Sequence, residues 1–284
     1  MVEVIRIAEN QHISVNGVEL VYNDAGEGTA IVTLHGGPGL GSRDNDWGSF
    51  LPFADTHRVI SFDQRGNGES EGLEPYSHEQ FAADVEGLRQ QLGLGKIILT
   101  GGSYGGFIAL EYALRYQEHL HAIILRDTAA SNAFQGIAKT RALESGLPMD
   151  QAALDRLFDG RVRDDQEFCE SFGMIQPLYN VEYDPVAGAK QLARIPFRFE
   201  THNWAFSRNQ PNYDIVTRLP EIRVPTLVIV GRHDWITPLE ASEQIAHGIP
   251  NSQLVIFENS GHSPQNEERE KFLETVNAFI SNLS

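Results

Sequence analysis

The sequence predicts an α/β fold in which an open, mostly parallel β-sheet carries helices on both faces. Short β-branched runs recur along the chain, and helical patterns follow several of them. Two of the runs, residues 97–100 and 227–230, are apolar without alternation, as expected of parallel strands that are covered on both faces. Strands that alternate with helices in this way are typical of a layered α/β domain.

The individual elements follow from these runs in chain order. Helical periodicity occupies three intervals, and residues 78–92 show it most clearly because their apolar side chains fall on one face. The other two helices are predicted over residues 104–116 and 267–282. The predicted strands are residues 18–24, 30–34, 58–62, 96–101, 120–126, 226–231 and 253–257.

The segment between the fifth and sixth predicted strands interrupts this rhythm. Residues 128–219 offer little strand pattern but several helix starts, at Asn132, Asp150 and Asp164. The segment is also rich in aromatic residues. We therefore expect residues 1–127 and 220–284 to form the core and residues 128–219 to form a helical cap over the carboxyl edge of the sheet. Most of its aromatic side chains should form the cap's own small core, with one or two facing a pocket.

Length and composition narrow the function classes. A chain of 284 residues with 41% hydrophobic residues suits one large domain, or one domain with an insertion. Its net charge of -17 would repel phosphate backbones, so nucleic acid is not an expected partner. The single cysteine, Cys169, permits no internal disulfide.

The sequence also bears on where the protein resides. Residues 1–6 lack a basic start followed by an apolar run, so a signal peptide is not expected. No apolar stretch approaches the length of a membrane span, so no membrane association is expected. The simplest expectation is a cytoplasmic protein.

Residues 101–105, Gly-Gly-Ser-Tyr-Gly, match the pattern G-x-S-x-G. Such glycines allow a sharp turn from strand to helix that exposes the serine hydroxyl. An apolar strand ends directly before this motif and a helical pattern begins directly after it, which favours Ser103 as a nucleophile over an ordinary glycine-rich turn. The context predicts an α/β-hydrolase fold.

A nucleophilic serine needs a base, and His262 is the best-placed histidine. In α/β-hydrolases the chain order is serine, acid, histidine. His262 follows the last predicted strand and precedes the last helix, at the same sheet edge as Ser103. His35, by contrast, precedes the serine in the chain.

The acid that orients this histidine has two candidates. Asp234 follows the strand that ends at Gly231, and it is favoured. The rival, Asp127, ends the preceding strand, where some enzymes of this fold carry their acid.

Oxyanion donors are expected on two loops. The backbone N–H of Tyr104 directly follows the nucleophile. The second donor should come from the glycine-rich loop after an early strand, and Gly37 is our choice there.

Five motifs follow one another in a fixed order along the chain. They are His-Gly-Gly-Pro-Gly at residues 35–39, Asp-Gln-Arg-Gly-Asn-Gly-Glu-Ser at 63–70, Gly-Gly-Ser-Tyr-Gly-Gly at 101–106, Gly-Arg-His-Asp at 231–234, and Gly-His at 261–262. Together they resemble the proline iminopeptidase family of α/β-hydrolases, along nearly the whole chain and least in the cap. The resemblance implies a triad of Ser103, Asp234 and His262, with structural roles for Asp63 and Arg65.

The departures from the family concern substrate recognition. The resemblance implies acidic residues that grip the free amine of the substrate, one of them directly after the catalytic aspartate. Trp235 occupies that position here, so we expect Glu200 or Asp214 of the cap to bind the amine. Trp235 itself and Trp204 are further candidates for contact with substrate.

The predicted function is therefore hydrolysis of small substrates or short peptides by a serine hydrolase. The favoured reaction is removal of an N-terminal proline or small residue through an acyl-enzyme. A carboxylesterase or lactonase with the same triad is the first alternative, and a non-catalytic ligand-binding protein of this fold is the second. The sequence has no Walker motif, no dinucleotide fingerprint and no Cys/His cluster, so no cofactor and no metal are expected.

Overall fold

The computed structural model describes residues 6–283 and forms one eight-stranded sheet. The strands are β1 (Ile7–Val15), β2 (Val18–Ala25), β3 (Ala30–Leu34), β4 (Arg58–Phe62), β5 (Ile97–Gly102), β6 (Leu120–Arg126), β7 (Thr226–Gly231) and β8 (Ser252–Phe257). Their spatial order is β1-β2-β4-β3-β5-β6-β7-β8. β1 pairs with β2, and β2 with β4, in antiparallel fashion, and the remaining pairs are parallel. The predicted mostly parallel α/β sheet is confirmed.

All seven strands predicted from the sequence are present, with ends that differ by at most one residue. The eighth, β1, was not predicted. Its polar run from Glu9 to His12 hides the alternation, because the strand lies at the edge of the sheet and most of it is exposed. A register shift between Ala8 and Gln11 disturbs the pattern further. Residues 1–5, where most of the signal-peptide expectation rests, lie outside the described residues.

Helices cover both faces of the sheet, as predicted. Apolar side chains of α2, α3 and α9 pack on one face, and those of α1 and α11 pack on the other. The eleven α-helices of the described chain are α1 (Asp44–Phe50), α2 (His78–Gln91), α3 (Tyr104–Tyr116), α4 (Gln135–Glu144), α5 (Gln151–Phe158), α6 (Asp165–Ile175), α7 (Pro185–Leu192), α8 (Phe199–Trp204), α9 (Leu239–Gly248), α10 (Pro264–Glu267) and α11 (Arg269–Ser281).

The segment between β6 and β7 contains helices α4 to α8 and no named strand within the described chain. Asp150 and Asp164 cap α5 and α6 by accepting backbone N–H groups, as predicted. Asn132 begins a 3₁₀ turn rather than a long helix, and Ser131 is its cap. Many of the aromatic side chains of this segment form a small apolar core of their own.

The helix predicted over residues 267–282 is present as α11 with slightly shorter ends, and the short helix α10, which ends just before Glu268, was not predicted. The Glu268 carboxylate accepts hydrogen bonds from the Asn259 N–H and the Ser260 hydroxyl, so it braces the loop that precedes α10. Across residues 6–283, no helix is both long and apolar enough to cross a membrane.

Candidate active site

Ser103 occupies a strained turn between β5 and α3. Its backbone φ is +52°, in the region that L-residues with a side chain rarely adopt. Gly105 allows this turn to pack tightly, because a Cβ at this position would lie 2.2 Å from the carbonyl oxygen of Leu34. The turn leaves Ser103 half-buried at the carboxyl edge of the sheet. Strain of this kind is typical of functional positions.

Two backbone N–H groups near Ser103 have no acceptor among residues 6–283. One belongs to Tyr104, the first residue of α3, which has no intrahelical partner. The other belongs to Gly37, whose loop approaches Ser103 so closely that a Cβ on Gly36 would lie 2.8 Å from the serine Cβ. Both residues line one cavity together with Ser103. The arrangement offers two donors for a developing oxyanion.

His35 anchors the loop that carries Gly37. Its Nε2 accepts a hydrogen bond from the Gln64 N–H at 3.1 Å, and the Gln64 side chain donates to the His35 carbonyl at 2.8 Å. Burial lowers the pKa of His35, so its ring is neutral and accepts at Nε2. His35 is therefore an anchor of the loop.

Asp63 and Arg65 hold neighbouring segments through buried ion pairs. Asp63 pairs with the side chain of Arg43 and also accepts the backbone N–H of Arg43 at 2.6 Å. Arg65 binds both carboxylate oxygens of Asp84, at 2.7 and 2.9 Å. These are the contacts of structural residues, which is the role that the sequence resemblance implies for this pair.

His262 and Asp234 form a buried pair at the same edge. The His262 Nδ1 lies 2.8 Å from the Asp234 Oδ2. Because an ionised carboxylate only accepts hydrogen bonds, Nδ1 carries the proton and Nε2 is left as an acceptor. Burial opposes a charged imidazole, but the charge and hydrogen bond of Asp234 outweigh it, so the pKa of His262 is raised. The ring is thus oriented to take up a proton at Nε2.

Asp234 is itself held by three donors, and the sequence analysis missed one of the residues that supply them. Its Oδ1 accepts the N–H groups of Ile236 and Thr237 at 2.9 and 3.0 Å. The Thr237 hydroxyl lies 2.7 Å from both the Asp234 Oδ2 and the carbonyl oxygen of Asp127. The spacing Asp-x-x-Thr, in which the aspartate caps the following turn, is the signal that could have identified Thr237.

Asp127 lies beside this pair but is differently placed. Its Oδ1 accepts the Gly231 N–H at 2.9 Å. Burial, reinforced by the charge of Asp234, raises the pKa of Asp127 to about 8. Within residues 6–283, one group of side chains has the spacing that a metal ion would need. It consists of Asp127, Asp234 and His262, whose possible ligand atoms all lie within 4.8 Å of one another. The mutual hydrogen bond of Asp234 and His262 already accounts for two of the three.

Residues 179–181, which follow α6, are tied to the loop that carries His262. The His262 N–H donates to the Tyr179 carbonyl at 2.7 Å, and the two rings meet edge to face with centroids 5.2 Å apart. The Glu267 carboxylate bridges the same segments, because it accepts the N–H of Val181 at 2.7 Å and that of Gly261 at 2.8 Å. This segment therefore fixes one side of the histidine.

Two cavities meet at Ser103. The first, the apolar cavity, has room of about 90 Å³ for water-sized molecules and extends under the segment between β6 and β7. None of its lining residues within 6–283 is an acid, a lysine or an arginine, and burial lowers the pKa of its one histidine, His202, to about 4. Its side chains include Phe107, Phe134, Leu157, Phe158, Phe168, Phe172, Ile175, Phe206 and Ile236.

The second, the polar cavity, has room of about 390 Å³ for water-sized molecules and opens on the other side of Ser103. His262 lines it, and it shares five lining residues with the apolar cavity, namely Gly37, Leu40, Ser103, Phe172 and Tyr179. Its further polar lining comes from Asp44, Asn45, Asp46, Arg126, Asp127, Gln176, Asn180, Gln191, Ser263, Gln265 and Asn266.

The structure does not bring Glu200 or Asp214 to either cavity. Glu200 is exposed and lines a separate groove with Tyr76 and Arg198. Asp214 is also exposed, and its Oδ1 accepts the Val216 N–H at 3.0 Å. The sequence placed both acids in the correct segment, but each side chain faces solvent, because the tertiary packing of the segment sets its direction.

The two tryptophans predicted to contact substrate are likewise absent from the lining of both cavities. Trp235 is buried in the apolar core of the segment between β6 and β7, edge to face with Tyr179 at 5.6 Å between centroids. Trp204 packs edge to face on Tyr76 and lies under the guanidinium of Arg208, 3.9 Å from its ring centroid. Both side chains serve packing in this structure.

Several known proteins are similar to this chain along most of its length. Residues 29–268 match the family described as the alpha/beta hydrolase fold. The chain is 34% identical over 279 residues to proline iminopeptidase PfmaB of Pestalotiopsis fici, with 95% of this chain and 99% of that protein covered. It is 31% identical to a 2-hydroxy-6-oxo-6-phenylhexa-2,4-dienoate hydrolase of Comamonas testosteroni, with 88% and 87% covered. The structure of a thermophilic esterase from Thermogutta terrifontis superposes with a TM-score of 0.77 at 28% identity, with 97% and 99% covered.

Proposed function

The chain belongs to the proline iminopeptidase family of α/β-hydrolases, and on this premise we propose that it removes an N-terminal proline or small residue from peptides or amides. Ser103 is the proposed nucleophile, His262 the base and Asp234 the acid. The observation that carries this assignment is the buried His262–Asp234 pair at 2.8 Å, beside a cavity that Ser103 also lines. The strained φ of Ser103 supports it further.

The proposed reaction uses the groups in sequence. His262 takes the Ser103 proton at Nε2 while the serine oxygen attacks the substrate carbonyl carbon. The N–H groups of Gly37 and Tyr104 bind the resulting oxyanion. The C–N bond then breaks, and His262 gives its proton to the leaving nitrogen. A water molecule, deprotonated by the same histidine, finally hydrolyses the acyl-enzyme.

The apolar cavity favours a small apolar acyl group such as the ring of proline. For the ammonium or amine of that residue it offers uncharged oxygens, including those of Gln135 and Gln210, but no carboxylate among its described lining residues. An unpaired charge in such a cavity is costly. This observation favours a second candidate, a carboxylesterase or lactonase that acts on an uncharged acyl group with the same three residues.

A three-substrate panel separates the two candidates. The wild-type protein and Ser103→Ala are assayed with proline p-nitroanilide, its N-acetylated form, and p-nitrophenyl butyrate. If the protein is a peptidase, it should cleave proline p-nitroanilide. Acetylation should lower kcat/KM roughly tenfold or more, because the polar groups of the apolar cavity can no longer bind a free amine. Cleavage of the butyrate with refusal of both anilides would replace the peptidase assignment with the esterase one.

Covalent labelling tests whether the protein is a catalyst at all. A fluorophosphonate probe should label the wild type and leave Ser103→Ala unlabelled, because it reacts with an activated serine. A wild-type protein that resists the probe and cleaves none of the three substrates would favour the non-catalytic, ligand-binding alternative.

A further inference from the structure

The two cavities that meet at Ser103 differ in which catalytic group they contain. The proposed oxyanion donor Tyr104 lines the apolar cavity, whereas His262 lines the polar cavity. A general acid must lie within hydrogen-bonding distance of the atom that it protonates. The leaving atom therefore has to lie on the His262 side of Ser103, which gives the site a direction.

The lining of the polar cavity contains side-chain groups that are free to bind a ligand. Asn180 and Asn266 make no side-chain hydrogen bonds within residues 6–283, and Gln265 makes none either. The Gln265 Oε1 is buried without a partner in the described chain. Primary amides both donate and accept, so they match the N–H and C=O groups of a peptide backbone.

Charge in the polar cavity adds a second preference. The Asp44 carboxylate is exposed at its edge, and the Oδ2 of buried Asp46 has no hydrogen-bond partner among residues 6–283 although its Oδ1 binds Arg126 at 2.6 Å. Since Arg126 is already paired with Asp46, this side of the site carries an excess of negative charge. An anionic group would be repelled here, and a neutral or cationic one would be tolerated.

We propose that the polar cavity is the leaving-group site, and that it takes a polar, peptide-like amine component of neutral or positive charge while the apolar cavity takes the acyl group. This inference rests on the proposed Ser103 hydrolase function. On bond cleavage the leaving nitrogen keeps its electron pair and takes the proton that His262 received from Ser103. The acyl carbon remains bound to the serine oxygen in the apolar cavity.

The test uses substrates that share one acyl group and differ in the leaving group. One series pairs prolyl-alanyl-lysinamide and prolyl-alanyl-glutamate with proline p-nitroanilide, whose leaving group has no peptide bonds. The variants are Gln265→Leu and Asp44→Asn, with Gln151→Leu as control because Gln151 is exposed and lines neither cavity. Tm is measured for each variant to verify folding.

The expected result is selective for the leaving group. Gln265→Leu should lower kcat/KM for the lysinamide about three- to tenfold and leave the anilide within twofold, as expected for loss of one neutral hydrogen bond. Asp44→Asn should reduce the ratio of kcat/KM for the lysinamide peptide to kcat/KM for the glutamate peptide. Gln151→Leu should change none of these values. Equal effects of Gln265→Leu on peptide and anilide, or a wild-type preference for glutamate, would overturn the leaving-group assignment.

A failure of the underlying function would look different. If the wild type cleaves no prolyl substrate, two butyryl esters replace the prolyl substrates. The serinamide ester has the polar, amide-bearing leaving group and the p-nitrophenyl ester the one without amides, and the ratio of their kcat/KM values is measured. In that series Gln265→Leu should again lower kcat/KM only for the serinamide ester. Phe134→Ala, in the apolar cavity, should instead alter the preference for acyl length without changing the leaving-group ratio. If Phe134→Ala changes the leaving-group ratio instead, the leaving group contacts the apolar cavity and the proposed assignment of the two cavities is wrong.

Discussion

The sheet edge and the segment between β6 and β7 form opposite walls of the site, and different kinds of structure position their side chains. Ser103 directly follows β5, Asp234 follows β7, and His262 follows β8, so strand order alone brings them to one edge. Across the cavity, tertiary packing decides which side chain points inward, and Glu200 and Asp214 point outward. Local backbone order therefore locates the chemistry, whereas substrate contacts depend on long-range packing.

The largest expected effect lies at the sheet edge. Ser103→Ala should lower kcat by roughly five to six powers of ten, because the residual rate comes only from binding and the oxyanion donors. The Tm should stay close to that of the wild type, since the Ser103 side chain is only half-buried and makes no side-chain hydrogen bond in the described chain. Turnover is measured on whichever substrate the wild type cleaves. Retained turnover in Ser103→Ala would remove the sheet edge from the mechanism.

The second effect separates two carboxyls of that edge. Asp234→Asn should lower kcat by roughly three to four powers of ten, because the amide presents its NH₂ group to Nδ1 of His262 and favours the wrong tautomer. Asp127→Asn should cost far less, since Asp127 bonds the Gly231 N–H rather than the imidazole. The two variants are compared by steady-state kinetics. A larger loss in Asp127→Asn would identify Asp127 as the acid.

The sequence predicted the sheet well because its strands are buried. β3, β4, β6 and β7 have the same ends in sequence and structure, and all of their residues except Arg58 and His121 are buried. The edge strand β1 lacked this signal, since solvent covers most of it. The pairing of Asp234 with His262 was likewise inferable from chain order.

The parts that could not be predicted depend on tertiary contacts. The local spacing points to Thr237, but it does not reveal that the hydroxyl also lies 2.7 Å from the carbonyl oxygen of Asp127, which is 110 residues away in the chain. Trp235 follows Asp234 in the chain, where the family resemblance implies an acid, and its burial against Tyr179 became visible only in the fold. Glu268 separates α10 from α11, and its carboxylate accepts hydrogen bonds from the Asn259 N–H and the Ser260 hydroxyl, contacts that the helical pattern of residues 267–282 does not show.

The third prediction concerns the pH dependence of the sheet edge. Asp234 raises the pKa of His262 against the opposing effect of burial, with smaller effects from Asp127, which raises it, and Arg126, which lowers it. The ring must be neutral to accept the serine proton, so reactivity falls as pH drops below this raised pKa. In Asp234→Asn the acidic limb should move to lower pH. This shift is measured from the rate of fluorophosphonate labelling as a function of pH. If the acidic limb of that pH profile does not move, a group other than Asp234 sets the pKa of His262.

A smaller effect on stability should appear at Asp127. Burial and Asp234 raise its folded-state pKa to about 8, so the stability that its neutral form contributes is complete below the ordinary pKa of 3.8 and is lost as pH rises towards 8. Asp127→Asn cannot ionise, yet it keeps an oxygen for the Gly231 N–H, and asparagine tolerates the positive φ of 46°. The Tm of the variant minus that of the wild type should therefore become more positive between pH 5 and pH 8. A constant difference would mean that Asp127 has an ordinary pKa.

The smallest expected effects belong to the two exposed acids, and they test the comparison most directly. Glu200→Gln and Asp214→Asn should each leave kcat/KM within about twofold on free and acetylated prolyl anilides, because an exposed charge outside the cavity is screened by solvent and salt. Suppose instead that either variant loses tenfold or more on the free amine alone, at unchanged Tm. The acid would then reach the substrate amine during turnover, and the outward direction of its side chain would not describe the working enzyme. If both variants remain neutral, the substrate amine is bound by uncharged groups of the apolar cavity, among which Gln135 and Gln210 are the first to substitute.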